Sequence, residues 1–261
     1  MIKFFRKIRQ NLLMENLPTR QAGKTSKYFK YAIGEIVLVV IGILIALSIN
    51  NWNENRKIKK ENYLLSKRLL DEVNKNMASL EISFIRLEKI DTSTIQALSL
   101  MTEEYKTVNS ILIDSLIYNI LITPNNNFYT SVLNEALSTG KVSLFDNDSL
   151  KQIIYNIPTS ISKIEESEKG IDVDINQNLV PFFYENISLR AIDSKFSEFG
   201  KKIGSSNLNP SDNRVVLKNR KFENILDNKY YLTQRLLSKY IVLQKDFVEL
   251  KRLLVNNLKD D

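Results

Sequence analysis

The chain contains no cysteine and no histidine in 261 residues. Their absence excludes disulfides, a thiol nucleophile, Cys/His zinc and iron–sulfur sites, Ser-His-Asp triads and any imidazole acid–base step. Glycine and proline are sparse, at seven and five, and neither occurs between Asn55 and Val108, so nothing in that stretch is a strong helix breaker. No internal repeat and no sustained β-type alternation is found. What is present, 43% apolar and 26% charged residues, is the composition of one or two folded domains and not of a disordered chain.

The charge is uneven. Lys plus Arg number 37 against 30 Asp plus Glu, a net of +7, which taken globally would suggest nucleic acid. Residues 1–30 hold eight basic groups and one acid, Glu15, and so carry the whole excess, whereas residues 61–261 hold 25 basic and 27 acidic groups. A basic nucleic-acid-binding domain is therefore not expected.

Ile36 to Ile49 runs without a charge and covers roughly 21 Å as a helix, short of the ~30 Å hydrocarbon core. Extended from Tyr31 to Trp52 it is long enough. Tyr28, Phe29 and Tyr31 before it and Trp52 after it lie where an aromatic belt would sit, and basic clusters flank both ends. A buried soluble helix or strand, or a signal peptide cleaved after Ala46-Leu47-Ser48, would share part of this pattern. The flanking features favour a membrane helix, and about 35 residues before the apolar run is long for a signal peptide.

Four basic residues precede the span closely (Arg20, Lys24, Lys27, Lys30) and six follow it (Arg56, Lys57, Lys59, Lys60, Lys67, Arg68), which alone would place the C-terminal side in the cytoplasm. A short +7 tail is nevertheless harder to translocate than a long domain, so the N-terminus is expected inside and the rest outside. Met1, Phe5, Ile8 and Leu12 share a helical face, with Lys3, Arg6, Lys7 and Arg9 supplying charge. That predicts an interfacial helix on anionic lipid, with Lys3, Arg6, Lys7, Arg9 and Trp52 as lipid contacts.

The blocks Phe5–Asn16 and Lys27–Glu54 resemble the N-terminus of an uncharacterised single-span membrane family of the Bacteroidota. The resemblance implies a bacterial inner-membrane protein with an extracytoplasmic helical region, and it supplies no catalytic residues. Leu17–Gly23 is longer than the usual spacer between those blocks.

Three patterns invite chemistry. Pro18 to Thr25 is one residue from a P-loop, but it leads into a membrane helix where a P-loop needs a preceding strand, and it is read as a basic spacer. Glu35 is the one acid in the apolar stretch, either functional or placed at the interface beside a helix N-terminus. Gly34, Gly42 and Ala46 share a face, and Gly42-Ile-Leu-Ile-Ala46 is a small-xxx-small pattern suited to helix pairing. The clustered acids at Glu103-Glu104, Asp146/Asp148, Glu165-Glu166/Glu168 and Asp172/Asp174 lack EF-hand spacing and are expected on solvated faces and caps.

The expected fold is all-α: an N-terminal amphipathic helix in a cytoplasmic tail (1–30), a transmembrane helix (31–52), and an extracytoplasmic helical bundle (53–261). Apolar spacing predicts a long helix over 55–108, broken near Asp91–Thr94, and helices over 110–121 and 128–139 with Gly140 as a left-handed cap. It predicts others over 150–156 and 158–190, the second starting at Pro158 and kinked at Pro181, then a loop at about 200–222. The clearest stripe, Ile225, Leu232, Leu236, Tyr240, Leu243, Phe247, Leu250, Leu254 and Leu258, predicts a final helix antiparallel to the first. No cofactor, no metal and no nucleic-acid partner are expected. The expected role is noncatalytic, with the external domain binding a membrane-protein partner or ligand or forming a homo-oligomer. The alternative is an accessory subunit of a transport, secretion or ion-driven complex that uses Glu35.

Overall fold

A computed structural model describes residues 24–208 and 212–260, with side chains from Ala32 onward. It is 86% helix, and no strand occurs among the described residues. The amphipathic helix expected over residues 1–13, with Lys3, Arg6, Lys7 and Arg9, lies outside the described residues, as do the Pro18–Gly23 spacer and the side chains of Tyr28, Phe29 and Tyr31. The chain divides into two compact units, residues 1–58 and 59–261.

The first described element, α1, is 76 residues long, Lys24–Ser99. Its first part carries the apolar run; from Leu65 onward Leu65, Leu69, Val73, Leu80, Leu87, Ile90 and Ala97 are buried on one face. The break expected near Asp91–Thr94 does not occur. Thr94 Oγ1 donates to the Ile90 carbonyl at 2.8 Å, and Ser93 Oγ accepts from Asn119 Nδ2 at 3.0 Å, so both hydroxyls are satisfied within a helical backbone.

Helix α2, Ser110–Ile120, starts where the Asn109 side chain accepts from the Ile111 and Leu112 N–H groups. Helix α3, Ser131–Ser138, has no cap from its own Thr130. Glu72 of α1 supplies it, accepting from the Val132 and Leu133 N–H groups at 2.7 and 2.9 Å. Asn76 holds the preceding strap, exchanging two 2.7 Å bonds with the Tyr129 backbone. Gly140 then turns the chain at φ 69°, the left-handed cap expected there.

The largest departure is α4, a single helix Asp148–Asp174 capped by Asn147, with Pro158 inside it. Two helices meeting at Pro158 were expected. An interior proline costs about 3 kcal/mol, but Leu150, Ile154, Ile157, Ile161, Ile164 and Ile171 are all buried along one uninterrupted face, which offsets that cost. A π-turn, Ile175–Leu179, follows, then α5, Val180–Asn186, with Pro181 in its first turn.

Residues 191–203, expected as connector and loop, lie in helices α6 (Leu189–Phe196) and α7 (Glu198–Ile203), capped by Ser188 and Ser197. A β-carbon on Gly200 would lie 2.1 Å from the Asp193 carbonyl oxygen, so glycine is what lets α7 close on α6. Of the expected 200–222 loop, the described residues outside any helix are 204–208, Asp212 and Asn219, since Asn213–Lys218 is a 3-10 helix.

The final helix α8, Arg220–Asp260, is 41 residues long and buries the predicted stripe from Ile225 through Leu254, except Leu232, which is partly buried. Its Asn257 donates to Asn62 and Ser66, its Gln234 to Asp91, and its Tyr240 ring meets Phe84 edge-on at 5.6 Å. Phe182 and Phe183 of α5 meet Phe222, the first of them stacked at 5.7 Å, within one hydrophobic core.

Candidate functional sites in the apolar helix and the helical core

In α1, the apolar side chains from Ile33 to Ile49 are exposed apart from a half-buried Leu38. The best 18-residue window has mean hydropathy 2.8 and none of it is buried. This helix is long and apolar enough to cross a membrane. Gly34, Glu35, Gly42, Ala46 and Trp52 are all exposed on it. A β-carbon at Gly34 or Gly42 would meet nothing within 4 Å, so neither glycine is required by packing within the chain. The Arg56 guanidinium sits 6.0 Å over the Trp52 ring.

In the second unit, a cavity of about 410 Å³ lies between α2, α6 and residues 205, 206, 208, 212 and 213. Its deepest charge is Asp114, 3% exposed, whose oxygens accept from Lys195 Nζ at 2.5 Å and Asn213 Nδ2 at 2.7 Å. Asn213 in turn accepts from the Ser188 N–H at 2.9 Å. Ser110, Ser188, Ser205 and Ser206 line the walls, giving a hydroxyl-rich surface with a satisfied ion pair at its base. Arg214 ties the same region together, donating to the Lys106 and Val108 carbonyls and to Asp212, and that guanidinium holds the Asp212 carboxyl below its usual range. Phe199, Ile203 and Leu208 stand exposed nearby in sequence.

A smaller cavity of about 300 Å³ is lined by Arg68, Asp71, Glu72, Lys75, Tyr129, Ser131 and Val132. Three lysines partly cover aromatic rings: Lys202 on Phe199, Lys218 on Tyr105 and Lys221 on Phe182.

The interior holds polar groups whose residue type alone would place them in solvent. Glu168, expected on a solvated face, is buried because it occupies the stripe position between Ile164 and Ile171. Tyr240 Oη donates to one of its oxygens and the Asn126 N–H approaches the other at 3.4 Å. Burial raises the Glu168 pKa against those two hydrogen bonds, and burial together with the Glu168 carboxyl raises that of Tyr240. Lys229 and Thr233 on α8 are both 1% exposed, and neither Nζ nor Oγ1 has a hydrogen-bond partner. Among the described residues no three acidic side chains gather in a way that could hold a metal ion.

No curated protein and no solved structure matches the chain. Residues 35–163, from within the apolar run to the first half of α4, match the model of a family of unknown function, DUF6090, and in that stretch the chain is similar to an uncharacterised domain.

Proposed function

We propose that this is a noncatalytic, membrane-anchored protein of the bacterial inner membrane, with its N-terminus in the cytoplasm and its helical domain in the periplasm. There the domain binds a protein partner or ligand, or assembles with a second copy. The observation that carries the reading lies in α1 alone. One uninterrupted helix is uncharged and exposes its apolar side chains on all sides over residues 36–49, and buries an apolar face from Leu65 onward. The first pattern suits lipid and the second a water-surrounded core. Its continuity supports an anchor over a cleaved leader, because a cut after Ser48 would fall inside the helix.

Within the domain we take the helices to form a bundle with α1 and α8 antiparallel. Asn62 and Ser66 meet Asn257, Phe84 meets Tyr240 and Asp91 meets Gln234, so residue numbers rise along α1 as they fall along α8. Exposed Phe199, Ile203 and Leu208 and the hydroxyl-lined cavity support a role in binding. Covalent cross-linking in intact cells followed by purification and mass spectrometry tests this: a cross-linked partner or dimer is expected, and a monomer with nothing attached would contradict it. The second reading, a subunit of a transport, secretion or ion-driven complex, is favoured by the exposed Glu35 on the span. It predicts loss of function in Glu35→Gln, which the first reading does not.

A further inference from the structure

Lys229 is the fully buried lysine of the core, and its ammonium has no acceptor. Such a group is costly in a protein interior and calls for an explanation. Burial lowers its pKa to about 8, against the opposing pull of Asp174 and Asp172. Both carboxylates belong to the end of α4, and neither reaches the ammonium: Asp174 Oδ1 accepts from Asn178 Nδ2 at 2.7 Å, and Asp172 is exposed.

The adjoining π-turn packs against α8, and in it the Val180 N–H donates to the Ile175 carbonyl. A π-turn is an α-helix holding one residue more than its repeat allows, a feature frequent at functional sites. Two side-chain amides pin it in place, Asn178 on Asp174 and Asn176 on the Asp172 carbonyl at 2.9 Å. Pro181 has no N–H to continue a regular ladder on the C-terminal side, so the extra residue has its easier path toward the N-terminus. Asp172 lies seven residues before Leu179, which is 1% exposed. In a regular α-helix seven residues make about two turns, so the two positions share one face.

We propose that the π-turn and Lys229 form a two-position latch. When the extra residue moves about one turn toward the N-terminus, Asp172 swings onto the face that packs on α8 and its carboxylate accepts from the Lys229 ammonium. Ile175, four residues before Leu179, remains on the buried face in both positions, so little apolar burial is lost. The residues in between turn by about 100° and advance about 1.5 Å, which changes the surface that α4 and the π-turn offer at Val173, Asn176 and Gln177. A ligand or partner that prefers one of those two surfaces thereby sets the state of the core beneath it. The latch stands on these contacts and not on the identity of any partner.

Amide hydrogen exchange of the full-length protein in detergent micelles, read as the rate over residues 172–180 relative to residues 113–120 of α2, tests it. Both Lys229→Met and Asp172→Asn remove the pair that favours the second position, and each is expected to slow the 172–180 segment at least threefold relative to the reference. Using α2 as reference removes any general gain in stability. A second arm, Asn176→Ala with Asn178→Ala, removes the pins and is expected to speed the same segment. A ratio that changes by less than threefold in either Lys229→Met or Asp172→Asn overturns the proposal, as does a slowing in the unpinned variant.

Discussion

Lys229 sets the pH response of the core. Below about pH 8 folded and unfolded chains both carry the ammonium, and the folded one bears its desolvation. Between about 8 and the ordinary lysine value of 10.5 only the unfolded chain keeps the proton, so stability rises with pH across that window. The shift corresponds to about 3 kcal/mol. Lys229→Met is therefore expected to stabilise the protein by about 1–3 kcal/mol at pH 7, and the gain should fade by pH 10.5; chemical denaturation of both proteins across that range checks it. A gain that stays constant with pH would mean the lysine is not buried as described. The sequence carried a trace of this residue. The α8 stripe steps by seven from Ile225 to Leu232, and Lys229 occupies the missing position four residues on. Glu168 sits in the α4 stripe in the same manner. Periodicity places both positions inward, but the residue type argued for solvent, and only the packed helices decide between the two.

At the scale of elements, borrowed contacts matter more than local signals. Helix α3 takes its N-cap from Glu72 on α1, so Glu72→Ala should cost about 2 kcal/mol, the worth of hydrogen bonds to a charged group. It should also speed amide exchange at residues 131–134 while leaving α8 unchanged. Two glycine substitutions should move in opposite directions. Gly200→Ala forces a contact with the Asp193 carbonyl and should destabilise by about 1–3 kcal/mol, whereas Gly170→Ala, in an exposed helical position with open space around it, should stabilise by about 1 kcal/mol. Thermal melting of the two variants separates them. The long helices were readable because their stripes extend over many turns. The continuity of α4 through Pro158 and of α1 through Asp91–Thr94 was not, since in both places tertiary burial outweighs a local helix-breaking signal. The short helices α6 and α7 were hidden by their polar composition; the Ser188 and Ser197 caps were the available clue.

For the molecule as a whole, the question is how an all-round apolar helix and a packed helical domain serve one role. If the apolar helix associates through its small residues, Gly42→Leu should weaken self-association in the membrane, measurable by energy transfer between labelled copies in vesicles. Glu35→Gln should leave that association intact. The similarity to a family of unknown function begins at Glu35 and ends at Lys163, so it covers most of the apolar part of α1 and the first packed helices but not α5 to α8. The α6–α7 pair and Lys229 lie outside the matched residues.

The absence of native cysteine makes one measurement direct. A single cysteine in place of the exposed Lys89, and separately one in place of Gln21, can be labelled in intact cells with a membrane-impermeant maleimide after the outer membrane is permeabilised. A membrane anchor with its domain outside the cytoplasm predicts labelling of the Lys89→Cys protein in intact spheroplasts and of the Gln21→Cys protein only after lysis, both remaining in the membrane fraction. Labelling in the reverse order, or a protein recovered in the soluble fraction, would contradict the account.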